Sequence, residues 1–229
     1  SDGTVRTFGS ATFRGDLSAV DLVQPIVGMS LTESGDGYWL VASDGGVFAF
    51  GDATFHGSTG DIKLDKPIVG MATVPGGGGY WLVASDGGVF SFGAARFYGS
   101  MGGVRLKAPV VGIAPAPSGA GYWMVASDGG IFAFGSAPFH GSTGNLKLAA
   151  PIVSMVPSVT GRGYWFVASD GGVFNFGDAS FLGSRGGRDN KGDVVSITET
   201  ADGGGYWIVT ESGISFPYGT AVDFVTSIV

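Results

Sequence analysis

No cysteine occurs in this chain. Disulfide staples, thiolate metal sites and cysteine nucleophiles are therefore excluded, and the absence fits the cytosol and many bacterial secreted proteins equally. Charged residues are also scarce, at 14%, so long solvated helices and coiled coils are not expected. Basic residues number 12 against 19 acidic ones, a net charge of −7. No basic stripe supplies the clustered Lys and Arg that phosphate attraction needs, so nucleic acid is not an expected partner. No apolar run reaches the roughly 18–20 residues of a spanning helix, and membrane insertion is not expected. No signal peptide is visible. The opening residues stand in the middle of a repeat and read as those of a mature or excised fragment.

What the chain has in excess is glycine, at 44 of 229 positions, far above the usual share of roughly 7%. The glycines do not recur at every third residue, which excludes collagen. Seventeen Phe, seven Tyr and five Trp, within an apolar fraction of 44%, suffice for a packed core and exclude disorder.

The tryptophans set the period. Trp39, Trp81, Trp123, Trp165 and Trp207 each follow a tyrosine (Tyr38, Tyr80, Tyr122, Tyr164, Tyr206) and lie 42 residues apart. A fixed period of 40–45 residues marks a repeat architecture. Each unit divides into four strand candidates, such as Pro67 to Ala72, Tyr80 to Ala84, Val89 to Phe92 and Ala95 to Tyr98. Ser-Asp-Gly-Gly between the second and third is a strong hairpin signal, because a tight turn there needs positive φ. No segment carries a helical apolar period. The expected fold is all-β: a single five-bladed β-propeller of four-stranded antiparallel blades. The rival is a β-solenoid. A small residue recurs in the first strand, at Gly28, Gly70, Gly112, Ser154 and Ser196, and predicts close approach near the central axis, where strands crowd.

The expected boundaries are a half-repeat at 1–21, full repeats at 22–63, 64–105, 106–147 and 148–189, and a degenerate repeat at 190–229. Residues 1–16 match a third and fourth strand. The fifth unit has Glu211-Ser212-Gly213-Ile214 in place of Ser-Asp-Gly-Gly. The simplest expectation is that the N-terminal half-repeat completes the last blade and the termini latch the ring, leaving residues 214–229 as an extra strand or tail. The alternatives are a partial sixth blade or a piece of a longer array.

The unit GYWLVASDGGVFAFGDATFHGSTG, residues 37–60, resembles a repeat of secreted and surface-attached actinobacterial proteins, found there beside cell-wall hydrolase, protease and other extracellular domains. The resemblance spans Ser1 to about Gly219 and implies a secreted or cell-surface β-propeller. A looser likeness, in blade number alone, is to tachylectin-type lectins; no binding residue carries over from it.

The candidate chemistry is modest. His56 and His140 occupy one register of the repeat, shared with Arg14, Tyr98 and Leu182. Such varied side chains do not suit a catalytic position, and read as a variable outer surface or a repeated ligand contact. Asp2, Asp44, Asp86, Asp128 and Asp170 repeat in the turn. One Asp between Ser and Gly suits backbone capping better than a calcium loop, which gathers several oxygen ligands at alternate positions. The glycines at 76–79 precede a strand, with no Lys-Ser or Lys-Thr behind them, and read as a flexible loop rather than a phosphate cradle. Arg185, Arg188 and Lys191 make a local basic loop, read as solvated or as a contact site.

The five tryptophans read as packing between blades. The five tyrosines, each following a Gly-rich turn, read as aromatic platforms for sugar rings at the blade edge. The expected function is a non-catalytic extracellular module without cofactor or metal, monomeric, binding glycans or cell-wall polymers. The candidate contacts are Tyr38, Tyr80, Tyr122, Tyr164, Tyr206, His56, Tyr98 and His140. The alternatives are a protein-interaction or spacer propeller, and a hydrolase with a site at the axial mouth.

Overall fold

A computed structural model describes residues 2–223. Its strands form five antiparallel three-stranded sheets, each drawn from one repeat. The first holds β1 (Ile26–Leu31), β2 (Gly37–Ala42) and β3 (Val47–Gly51), and the second β4 (Ile68–Thr73), β5 (Gly79–Ala84) and β6 (Val89–Gly93). The third holds β7 (Val110–Pro115), β8 (Gly121–Ala126) and β9 (Ile131–Gly135). The fourth holds β10 (Ile152–Pro157), β11 (Gly163–Ala168) and β12 (Val173–Gly177), and the fifth β13 (Val194–Glu199), β14 (Gly205–Thr210) and β15 (Ser215–Gly219). The described residues fall into two compact units, one running up to Arg105 and the other starting at Leu106.

The middle strand of each sheet reads Gly-Tyr-Trp and then apolar. In the first four sheets all six of its residues are buried, as a strand covered on both faces requires. One joint recurs. In the first unit Trp39, Val41 and Val47 pack on Ile68, Met71, Tyr80, Leu82 and Ala84 of the next sheet. In the second unit Trp123 and Val125 meet Ile152, Met155, Tyr164 and Phe166, and Trp165, Val167 and Val173 meet Val194, Ile197, Tyr206 and Ile208. Each sheet thus has a trailing face of Trp and Val and a leading face of Tyr with aliphatic residues.

The small residue in the first strand of the first sheet is closely approached. A Cβ on Gly28 would lie 3.1 Å from Val41 Cγ1 and 3.8 Å from the Gly70 Cα of the next sheet. The register also slips there, between Ile26 and Gly28. The Ser-Asp-Gly-Gly turn behaves as read: the Asp44, Asp86, Asp128 and Asp170 carboxylates accept the N–H of Gly46, Gly88, Gly130 and Gly172 at 2.9–3.0 Å. The preceding glycine takes positive φ, +80° at Gly45.

Three expectations are corrected. The blades have three strands, not four: Ala95 to Tyr98 and its counterparts belong to no strand. The fifth sheet takes its third strand from its own repeat, β15, so the N-terminal half-repeat does not complete it. Residues 2–21 form no strand. Instead Val5 and Leu17, with Leu22, cover Tyr38, Leu40 and Ala42 of the first sheet. Of the expected C-terminal tail, residues 224–229 lie outside the described residues.

Candidate functional site

The Tyr-Trp pair explains why the fourth strand is missing. After each third strand the chain runs on as a strap without regular structure, residues 53–57 after the first sheet. Trp39 Nε1–H donates to the Thr54 carbonyl at 2.9 Å. Trp81, Trp123, Trp165 and Trp207 donate equivalently to Arg96, Pro138, Ser180 and Val222 at 2.8 Å. The tyrosine of the following repeat takes the other end. The His56 N–H donates to Tyr80 Oη at 3.1 Å, and that hydroxyl donates to the Gly57 carbonyl at 2.6 Å. Tyr164 holds His140 and Gly141 in the same way, at 3.0 and 2.6 Å, and Tyr206 holds Leu182 and Gly183, at 3.2 and 2.6 Å. Tyr38 holds Arg14 and Gly15 of the half-repeat. Strap groups that would enter a strand ladder are thus occupied by side chains.

The tyrosines are consequently core residues. Tyr38 is 4% exposed and Tyr80, Tyr122, Tyr164 and Tyr206 are fully buried. Burial raises the pKa of Tyr80, Tyr164 and Tyr206 above the ordinary value of 10.0. The expected sugar platforms at the blade edge are therefore corrected: no face of these rings reaches solvent. Each ring packs on a third-strand aromatic, as Tyr122 does on Phe134 with centroids 5.7 Å apart.

The aromatic side chains that do reach solvent are on the straps. Phe13, Phe55, Phe97, Phe139 and Phe181 are each more than half exposed, one in the half-repeat and one in each of the first four full repeats. Phe55, Phe139 and Phe181 sit between two pinned residues: the carbonyl before Phe55 is held by Trp39 and the N–H after it by Tyr80, and the other two are held alike. Sequence reasoning assigned this position to a fourth strand and did not single it out, although its 42-residue recurrence was visible.

His56, Tyr98 and His140 are half-buried. The histidine rings lie 5.6 and 5.5 Å, centroid to centroid, from Tyr80 and Tyr164. His56 lines a cavity of about 340 Å³ in the first unit, with Glu33, Trp39, Asp52, Thr54 and the backbone at Gly77. Part of its polar wall is spent internally, since Asp52 accepts from Thr32 at 2.9 Å and from Ser34 at 2.6 Å. These bonds, that from Ser34 foremost, hold the Asp52 carboxyl below its ordinary 3.8. The same clasp recurs as Ser158, Thr160 and Asp178. In the fifth sheet the carboxylate changes place, and Asp202 accepts from Thr200 and Thr220. The counterpart of His56 in the second unit, His140, brings Nε2 to 3.4 Å from the Gly161 carbonyl.

Two of the three cations of the basic loop are engaged within the chain. Arg185 donates to Asn190 and to the Asp189 carbonyl and lies over the Phe216 ring at 3.9 Å, and Lys191 pairs with Asp189. Among the described residues no three His, Asp or Glu side chains gather as a cation site.

No family model matches the chain, and no curated protein matches it in sequence. In three dimensions it is similar to the crystal structure of the Myceliophteria thermophila Cps50 (Swd1) β-propeller domain. The TM-score is 0.54 at 12% identity, covering 89% of this chain and 68% of that one. At that identity the likeness speaks to fold alone, and the fold it supports is a β-propeller, here with five three-stranded blades.

Proposed function

We propose that the chain is a non-catalytic, extracellular binding module that recognises glycans or cell-wall polymers through repeated sites. The observation that carries this reading is the strap phenylalanine. At Phe55, Phe139 and Phe181 the fold pins the backbone on both sides of a large aromatic ring and leaves that ring in water. Burying one such side chain is worth roughly 1.5–3 kcal/mol, and the fold forgoes part of it at each of Phe13, Phe55, Phe97, Phe139 and Phe181. A ligand ring laid on Phe55 would recover that energy on a platform already ordered, with little further entropy to lose. Several weak equivalent sites then give avidity on a polymer. The neighbouring register, with Arg14, His56, Tyr98, His140 and Leu182, supplies a side chain that differs from repeat to repeat, which suits contact tuning better than catalysis. The resemblance of the repeat to secreted actinobacterial proteins supports the location and the class of ligand.

The test is a glycan array that includes bacterial cell-wall fragments, probed with the folded chain and with Phe55→Ser, Phe97→Ser and Phe139→Ser, singly and combined. The reading predicts saturable binding to one sugar class that weakens stepwise as phenylalanines are removed. No binding by well-folded chain refutes it and turns attention to a protein-interaction or spacer role.

A further inference from the structure

The loops between first and second strands close differently in the two units. In the second unit a loop residue of one sheet meets the loop of the next. A Cβ built on Gly161 would lie 2.7 Å from Pro117 Cδ, and one on Gly203 would lie 2.8 Å from Val159 Cγ2. The Val159 N–H also donates across that joint to Glu199, at 3.2 Å. In the first unit the matching pair is Glu33 and Gly77. A Cβ on Gly77 would meet nothing within 4 Å. The joint stands open there, and the opening is the cavity of about 340 Å³ that both residues line. That volume lies within the roughly 300–1,000 Å³ of small-molecule sites.

Two sequence changes make the opening and set its polarity. Pro75, Pro117, Val159 and Ala201 fill the register of Glu33 in the other repeats, all of them uncharged. A glutamate keeps its charge in water instead of packing on a neighbouring loop. Across from it Gly76, Gly77 and Gly78 take positive φ, between +77° and +86°, and bring no side chain to fill the space. The carboxylates of Glu33 and Asp52 line the cavity, and neither forms an ion pair among the described residues. Arg14 is paired with Asp36 instead. In the second unit His140 brings Nε2 to the Gly161 carbonyl. The His56 ring, on the wall of the cavity, has no hydrogen-bond partner among the described residues. Glu33, Asp52 and His56 are not gathered closely enough to hold a metal ion, so the cavity suits an organic cation.

We propose that this cavity is a binding site for a small ligand carrying a primary ammonium group on a hydroxylated ring, an amino sugar unit whose nitrogen is not acylated. The ammonium group lies between Glu33 and Asp52, where charge-assisted hydrogen bonds are on offer. The ring hydroxyls meet the Thr54 hydroxyl, the His56 nitrogens and the backbone of residues 76–78, which share the wall. Trp39, its N–H already given to Thr54, supplies an apolar part of that wall. Acetylation of the nitrogen removes the cation and leaves two carboxylates facing the ligand unpaired, so the site discriminates against acetylated units. This site is additional to the strap phenylalanines and does not depend on them.

The deacetylated tetramer of glucosamine is titrated into the full, isotope-labelled chain and followed through its amide NMR shifts. The N-acetylated tetramer and an end-capped peptide with one lysine are titrated alongside. Glu33→Gln removes the charge alone, and Glu33→Pro installs the residue of the second and third full repeats. Glu33 is exposed, so both variants keep the fold and their melting curves confirm it. The proposal predicts saturable shifts centred on Thr54, His56 and Gly77. It predicts at least tenfold weaker binding for the acetylated tetramer, for the lysine peptide and for either variant. Absence of saturable binding overturns it, as does binding unchanged in Glu33→Gln. Equal binding of the lysine peptide overturns it in favour of a protein amine as the ligand. The two readings fail separately. Neutral glycans that bind on the array while the amine titration is blank overturn this inference alone, and an array blank for neutral glycans beside a saturable amine titration overturns the strap reading alone.

Discussion

Replacing Tyr164 by phenylalanine removes one oxygen atom and leaves the packing in place. The ring keeps its neighbours Trp123 and Phe176, at centroid distances of 5.9 and 5.7 Å. What goes is the acceptor for the His140 N–H and the donor to the Gly141 carbonyl. Leaving a buried polar group unpaired costs about 1–3 kcal/mol. The strap borders solvent, where Phe139 is exposed, so water relieves part of the cost. The low end of the range for two groups gives about 2 kcal/mol. In a chain of this size 1 kcal/mol moves the melting temperature by roughly 2–4 °C, and the expected fall is about 4–8 °C by calorimetry. The companion change Phe139→Ser removes an exposed ring from the same strap, and an exposed site away from the core is usually within about 0.5 kcal/mol of neutral. Hydrogen exchange at the His140 amide should quicken in Tyr164→Phe and stay unchanged in Phe139→Ser. A Tyr164→Phe protein that melts within 1 °C of the parent, with unchanged exchange at His140, would refute the pinning of strap to neighbouring sheet.

Gly129→Ala should cost more than about 2 kcal/mol, since its Cβ would lie 1.7 Å from Thr143 Oγ1 at φ +76°. Gly213→Ala, at φ +83° with nothing within 4 Å, should cost only the backbone strain; equal losses in denaturant melts would contradict the clash. Stability should fall at both ends of the pH scale. The raised Tyr80, Tyr164 and Tyr206 resist ionising in the fold but not in the unfolded chain, so stability declines as pH rises through and above 10.0. Asp52, Asp178 and Asp202 are held below 3.8, chiefly by the hydroxyls of Ser34, Thr160 and Thr200, and their contribution disappears as pH falls through that value. Melting curves flat from pH 3 to 11 would exclude both effects. The clasp should also tolerate relocation. Thr160→Asp with Asp178→Thr reproduces the arrangement of Asp202 and Thr220, so the double variant should be more stable than the sum of its singles; additive losses would argue against a shared hydroxyl–carboxylate unit.

Much of the fold was legible because its signals are local. The 42-residue spacing of Trp39 to Trp207, the Asp-Gly turn at Asp44 and the β-branched run at Ile68 each need only a few consecutive residues. The fourth strand was misread because Ala95 to Tyr98 has strand-like composition, while the groups that pin such a strap sit 15 residues away in the tryptophan and about 24 away in the next tyrosine. Local pattern carries no trace of those bonds. The tyrosines were misplaced for the same reason. A Tyr after a Gly-rich turn looks like an edge residue until a neighbouring sheet is laid over it, and only the third dimension shows that Tyr80 is buried against Trp39. Phe55 shows the converse. It recurs as regularly as the tryptophan, and periodicity alone does not separate a ring that packs from a ring that is displayed.

The central functional claim rests on those displayed rings. Calorimetric titration of the folded chain with an oligosaccharide of the sugar class selected on the array tests it most directly. The account predicts more than one binding site per chain, with the number of sites falling as Phe55, Phe97 and Phe139 are changed to serine. A single site, or a number of sites unchanged after all three substitutions, would contradict it.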